Sequence, residues 1–230
     1  MELDGVFLDL YGTLTTGDRA AVEAVCAEVV GDCGVSMSAH ELSIAWGERF
    51  FRFLDASDGA GFRTLFEVEM ETLIETLAPL GMDIDPRPYA ERLREYWRNP
   101  PLQAEVGPFF EAIGCAVCIV SNADRADAEA VVSAYGLPVV HLVTSEDARS
   151  YKPHRDIFEM ALARTGWRRD RVIHVGDSLH SDVGGAMAAG IRSGWVNRAH
   201  RIHDIGTHAP DHEFADLHGL VALVDGVGGG

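Results

Sequence analysis

The sequence predicts an α/β protein built on a parallel sheet, with an all-helical segment inserted after the first strand. Three observations carry that reading. Short apolar runs bounded by turn residues recur at 3–10, Ala116 to Val120, Val139 to Val143, Arg171 to Val175 and Ser193 to Val196. Such runs read as buried strands. Helical periodicity fills the gaps between the later runs, the pattern of parallel strands joined by crossover helices. Between the first and second strands, by contrast, residues 18–97 carry helical periodicity alone. A crossover needs only one helix, so this stretch reads as an inserted subdomain.

Each element has its own warrant. The opening run Val6-Phe7-Leu8 ends at Asp9 and the turn residues Gly12-Thr13. In the insertion, Ala21, Val22, Val25, Val29 and Val30 share one helical face. Trp46, Phe50, Phe53 and Leu54 share another, and Leu65, Val68, Leu73, Ile74 and Leu77 a third. Gly31 to Gly34, Asp58 to Gly61 and Gly81 to Pro88 are the expected turns. Pro100-Pro101 marks the return, which divides the chain into 1–17 plus 98–230 and an insertion of 18–97. Helices are then expected over Phe109 to Ile113, Asp124 to Tyr135, Asp156 to Thr165, Ser181 to Ala189 and His218 to Val224. Gly190 is placed to stop the fourth of these. The glycine tail 226–230 is expected to fray.

Bulk properties narrow the function. With 230 residues and 47% hydrophobic composition the chain can bury a substantial core. A net charge of −17 disfavours nucleic-acid and anionic-membrane partners. An anionic substrate would have to be met by local cations or main-chain N–H groups. The pair Cys115 and Cys118 has zinc-like spacing. Both fall in one strand, however, where positions three apart face opposite ways. Buried thiols in a reducing compartment are the simpler reading. There is no signal-type stretch and no apolar run long enough to span a bilayer, so a cytoplasmic location is expected.

The chemistry concentrates where strands end. Asp9 follows the first strand, Ser121 and Asn122 the second, and Asp177 and Ser178 the strand ending near Val175, with Asp182 just beyond. Lys152 lies in Ser150-Tyr151-Lys152-Pro153. Strand ends of open α/β sheets are where ligands bind. A buried carboxylate such as Asp9 can act as a nucleophile. Asp9, Asp177 and Asp182 offer the hard oxygen ligands that magnesium prefers. Ser121, Asn122 and the N–H of Ala123 would hold phosphoryl oxygens, with a helix N-terminus near Asp124 aimed the same way. A fixed ammonium at Lys152 would offset the negative charge.

The order Asp9, Ser121, Lys152, Asp177, Asp182 resembles the haloacid dehalogenase-like hydrolase superfamily. The resemblance implies a Rossmann-like three-layer core with the insertion 18–97 as a helical cap over the site. It implies Asp9 as nucleophile forming an aspartyl-phosphate, and Mg²⁺ held by Asp9, Asp177 and Asp182. It also implies phosphate binding by Thr13, Ser121, Asn122 and Lys152, and a small phosphorylated metabolite as substrate, in a monomer or homodimer.

Tyr11 departs from the pattern. The family's phosphatases carry aspartate there to protonate the leaving alcohol and later activate water. Tyrosine, with an ordinary pKa near 10, is a poor base at neutrality. Three readings follow. One is a magnesium-dependent phosphatase favouring leaving groups that need little protonation. The second is a 2-haloacid dehalogenase, whose relatives carry a similar Asp-x-Tyr-Gly-Thr motif and work without metal. The third is a weakly active binding relative. Dehalogenases typically lack an acid corresponding to Asp177, which places the phosphatase first.

Other signals carry less. The aromatic residues Trp46, Phe50, Phe53, Phe62 and Phe66 read as cap core before pocket lining. Arg49, Arg52 and Arg63 read as solvated. The histidines 200, 203, 208, 212 and 218 are interrupted by Pro210, which disfavours one metal-binding helix.

Overall fold

The computed structural model describes residues 2–57, 59–202 and 208–226. Asp58, His203 and the tail beyond Gly226 lie outside the described residues.

Six strands form one sheet in the order β3-β2-β1-β4-β5-β6, every pairing parallel. They are β1 Gly5–Leu8, β2 Val117–Ser121, β3 His141–Thr144, β4 Val172–Gly176, β5 Arg192–Val196 and β6 His212–Phe214. The first strand is central. Leu8 lies opposite Ile119 of β2 on one side and Val175 of β4 on the other. The chain winds outward through β2 and β3, then returns to β4 and winds the other way. The switch falls at the C-terminal end of β1, the place where open α/β sheets form a ligand crevice.

Strand alternation divides the core in two. On one face Val6, Leu8, Val117 and Ile119 pack under Phe109 and Val131, from α5 Val106–Ala112 and α6 Arg125–Tyr135. Leu217 and Leu220, from α10 Leu217–Val224, join them. On the other face Phe7, Cys118 and Val120 pack against Ile157, Phe158 and Ala161 of α8 Asp156–Thr165. The result is a three-layer helix–sheet–helix arrangement. Cys115 precedes β2 rather than lying in it as expected, yet it joins the first cluster and Cys118 the second, so the pair is split between the two faces of the sheet.

Residues 18–98 supply four helices: α1 Asp18–Cys33, α2 Ala39–Ala56, α3 Leu65–Leu77 and α4 Arg87–Arg98. Ser38 with Glu41, and Thr64 with Glu67, form capping boxes that start α2 and α3. Val25, Val29, Leu42, Trp46, Leu73, Leu77 and Leu93 form an apolar core of their own. The two connections to the sheet domain run side by side, with Thr15 bridged to Leu102 and the Thr16 N–H donating to the Pro101 carbonyl at 2.9 Å. Trp46 and Phe66 are buried, as the helical spacing predicts, while Arg63 is exposed and pairs with Glu71.

Several expectations shift. The short β6 and the one-turn α7 Ser145–Ala148 have no clear sequence signature. Pairing to β5 holds β6, and Thr144 caps α7 through Asp147. The expected helix Ser181–Ala189 begins earlier, as a wide π-type turn over Leu179–Gly184, and closes as α9 Gly185–Ala188. In that turn the N–H groups of both Asp182 and Val183 donate to the Ser178 carbonyl at 3.1 Å. Among the described residues, no helix is long and apolar enough to cross a membrane.

Candidate active site

Asp9 stands one residue beyond β1 with its N–H on the Val175 carbonyl. It is 5% exposed. Three side chains converge on its carboxylate. Lys152 Nζ donates to Oδ1 at 2.7 Å, Ser121 Oγ to Oδ1 at 3.3 Å, and Thr13 Oγ1 to Oδ2 at 2.9 Å. Burial pushes the Asp9 carboxyl up, and Lys152 opposes that rise.

Lys152 is saturated. Its ammonium also donates to Asp182 Oδ1 at 2.7 Å and to the Val120 carbonyl at 3.0 Å. Burial disfavours its charge, but Asp182 and Asp9 outweigh that, so the ammonium stays protonated well above its ordinary range. Asp182 shows the converse. Burial would raise its pKa, yet Lys152 and His174 hold its carboxylate far below the usual range. The wide turn brings Asp182 back beneath its own loop, where Oδ2 accepts the Ser178 N–H at 3.0 Å. Gly176 allows this approach, because a Cβ there would collide with the Asp182 carboxylate.

Asp177 is differently placed. Its side chain accepts no hydrogen bond from the described residues. Burial first, then Asp9 and Asp182, push its carboxyl up to about 7. Ligand oxygens of Asp9, Asp177 and Asp182 all fall within 4.8 Å of one another. Hard carboxylate oxygens in mutual repulsion, one of them lacking a partner, suit a hard divalent cation. The residues present therefore fit magnesium.

The structure places the other predicted site residues as follows. Thr13 and Ser121 reach the Asp9 carboxylate itself. Asn122 does not offer a free amide. Its Oδ1 accepts the Lys152 N–H at 2.7 Å and its Nδ2 donates to the Lys152 carbonyl at 3.1 Å, so it positions the lysine loop. The Ala123 N–H is taken by Ser145 Oγ at 3.0 Å. The α6 N-terminus is occupied too, since the Arg125 N–H donates to Glu146 at 2.6 Å. Asp124 serves the inserted helices instead, accepting the Leu65 and Phe66 N–H groups at 2.7 and 3.1 Å. Tyr11 donates its hydroxyl to the Trp97 carbonyl at 2.7 Å. Burial, with Asp127 and Asp18 nearby, raises its phenol far above the ordinary range. In this arrangement Tyr11 is not a base.

Two residues that sequence reasoning passed over support the site. His174, fully buried in β4, sets Nε2 2.9 Å from Asp182 Oδ1. Burial pushes its imidazole pKa down against the opposing pull of Asp182, and a proton on Nε2 makes this contact a hydrogen bond. A histidine inside an apolar strand needs a partner, and that was the available signal. Arg198 donates to the Gly12 and Thr13 carbonyls at 3.2 and 2.8 Å and pairs with Glu105 at 2.7 Å, clamping the turn after Asp9. Nothing in the local sequence marks it.

A cleft of about 970 Å³ opens from this cluster toward the inserted helices. Asp9, Ser121, Lys152, Asp177 and Asp182 line its floor, and Trp46, Phe50, Leu54, Leu65, Leu93 and Trp97 its far wall.

Comparison with known proteins agrees with this geometry. The (S)-2-haloacid dehalogenase of Pseudomonas fluorescens is 26% identical over 220 residues, covering 94% of this chain and 93% of that protein. Pyrimidine 5'-nucleotidase YjjG of Escherichia coli (strain K12) is 39% identical over 84 residues, 36% of this chain and 37% of that protein. The structure of L-2-haloacid dehalogenase from Xanthobacter autotrophicus superposes with a TM-score of 0.81 at 20% identity, covering 97% of this chain and 99% of that one. The family model described as haloacid dehalogenase-like hydrolase matches residues 3–190. With that match over most of its length, the chain belongs to the haloacid dehalogenase-like hydrolase family.

Proposed function

We propose that this hydrolase cleaves a small phosphate monoester through an aspartyl-phosphate on Asp9, with Mg²⁺ as cofactor. The observation that carries the reading is Asp177. A half-buried carboxyl without a hydrogen-bond partner among the described residues, its pKa raised beside Asp9 and Asp182, is the group a cation would settle. Asp9, Asp177 and Asp182 would hold the ion. When bound, Mg²⁺ would neutralise charge developing between the phosphoryl oxygens and the carboxylates.

The chain's own residues do the rest. Asp9 attacks phosphorus, the bond to the leaving oxygen breaks, and water later cleaves the acyl phosphate. Lys152 holds Asp9 in place and offsets negative charge. Thr13 and Ser121 orient the carboxylate. Tyr11, bound to Trp97 and lacking basicity, neither protonates the leaving group nor activates water. Substrates with stabilised leaving groups, such as aryl and acyl phosphates, are therefore favoured.

A second reading, the metal-independent 2-haloacid dehalogenase, rests on the relatives that match along the whole chain and on Tyr11, since halide needs no proton. The relatives favour this reading, whereas the carboxylate cluster favours the first.

The deciding experiment measures phosphate release from phenyl phosphate, acetyl phosphate and sugar phosphates, and halide release from 2-chloropropionate. Each is run with Mg²⁺, with EDTA and with Asp9→Asn. The phosphatase requires release that depends on Mg²⁺, is lost in the variant and is fastest for aryl and acyl esters. Halide release indifferent to EDTA, without phosphate release, would replace it by the second reading.

A further inference from the structure

Where α3 and α4 face the cleft, its lining is Leu65, Glu69, Leu93 and Trp97, so Glu69 is the charged group there, while Asp18, Arg19, His40 and Ser43 line the cleft from α1 and α2. Glu69 lines the cleft yet is only 4% exposed. Its Oε1 accepts the Trp97 indole N–H at 2.7 Å. Its other oxygen has no hydrogen-bond partner among the described residues. Two neighbouring donors are committed elsewhere: Trp46 Nε1 donates to Thr72 at 2.9 Å and the Tyr11 hydroxyl to the Trp97 carbonyl at 2.7 Å.

Charge around Glu69 does not balance. The acids near it are Asp124 and Asp127, and Arg94 is the cation that opposes them. Arg94 faces Asp124 at 4.0 Å and Asp127 at 3.6 Å, and Arg98 pairs with Asp127 at 2.6 Å. Glu69, Asp124 and Asp127 thus share the two guanidinium groups, which leaves one carboxylate uncompensated. Burial first, then the neighbouring acids, push the Glu69 carboxyl up to about 8. A buried acid without its own counterion gains when a ligand brings one. Trp97 and Tyr11 add aromatic surface beside it, which attracts cations and binds an apolar stem.

We infer that the helical wall of the cleft is a subsite for an ammonium group on an apolar stem, with Glu69 as its acceptor. The substrate class is then a zwitterionic phosphate monoester, its phosphate against Asp9 and Lys152 and its ammonium against Glu69. The substrate class rests on the phosphatase reading, while the ammonium subsite stands on the cleft alone.

The test compares 4-(2-aminoethyl)phenyl phosphate with its neutral counterpart 4-ethylphenyl phosphate, in wild type and in Glu69→Gln. Glutamine keeps an acceptor for the Trp97 indole but carries no charge. The wild type should favour the ammonium ester by about tenfold in kcat/KM, expressed in KM, and the variant should lose that preference while still cleaving the neutral ester. Tryptophan fluorescence titrations with 2-phenylethylammonium and 2-phenylethanol give a readout free of phosphoryl chemistry. Tighter binding of the ammonium, dependent on Glu69, upholds the subsite even if neither ester is cleaved, in which case only the phosphatase reading falls. Equal handling of the charged and neutral partners of each pair by the wild type overturns the subsite, whether or not phosphate is released.

Discussion

Asp9 and Asp182 on the sheet side of the cleft, and Glu69 on its helical side, are all buried carboxyl groups, yet their environments differ. Lys152 bridges the first two at 2.7 Å each, and His174, Ser178, Thr13 and Ser121 satisfy much of what remains. Glu69 has a neutral indole N–H and a share of an arginine already engaged elsewhere. The Asp9–Lys152–Asp182 cluster is thus preorganised, its charges fixed before any ligand arrives, although Asp177 beside it has no such partner. The helical side leaves a charge unsettled, which suits selection among ligands. A nucleophile must be held in one geometry, whereas a specificity wall needs only a difference in affinity between ligands.

The largest effect that tests this contrast is removal of the Asp9 carboxylate, the proposed nucleophile. Asp9→Asn keeps the shape and the Thr13 contact, and turnover should fall by at least about 10⁴-fold with the thermal midpoint changed little. A variant that retained activity would remove the sheet side from the chemistry altogether.

Next is Lys152→Met, which leaves two buried carboxylates facing one another. It should cost about 3–5 kcal/mol in urea unfolding, and adding Asp182→Asn should recover part of that loss. The wild type supplies the pH counterpart. The Asp182 pKa is lower in the folded state than in the unfolded chain. Its stabilising contribution is present above the ordinary carboxylate value near 4 and declines as pH falls below it. Acid unfolding of Asp182→Asn should lack that component.

Glu69 predicts the opposite sign. Its folded pKa is raised to about 8, so its contribution is full below its ordinary value near 4.5 and is lost as pH rises toward 8. Glu69→Gln should match wild type at pH 4 and exceed it by about 4 kcal/mol at pH 8.5. If urea midpoints of the two proteins ran parallel across that range, the contrast between the two sides would dissolve.

The smallest expected effects concern the joint between the sides. Asp124→Ala removes the acceptor that the sheet domain lends to the α3 N-terminus and should cost about 1 kcal/mol. Tyr11→Phe removes one hydroxyl bond, costs a similar amount, and should change turnover of phenyl phosphate less than threefold. A larger kinetic loss would restore Tyr11 as a proton donor.

Much of this architecture was legible in the sequence because it is local. Apolar runs ending in Asp9, Ser121 and Gly176-Asp177 marked strands and site residues together, since a chain leaving a parallel strand must turn where the ligand crevice lies. Helical periodicity marked the inserted helices. The sequence order of the motifs, and with it the family, needed no coordinates. What each polar group does was decided by tertiary structure. Asn122 turned to the Lys152 main chain, Asp124 to the N-terminus of α3, and Tyr11 to the Trp97 carbonyl, each satisfying a partner distant in sequence. His174 and Arg198 joined the site from a strand interior and from the segment after β5. The isolation of Glu69 is visible only once α3, α4 and α6 are packed together. Propensity and periodicity are properties of a segment, but the charge state and partners of a buried group depend on everything folded around it.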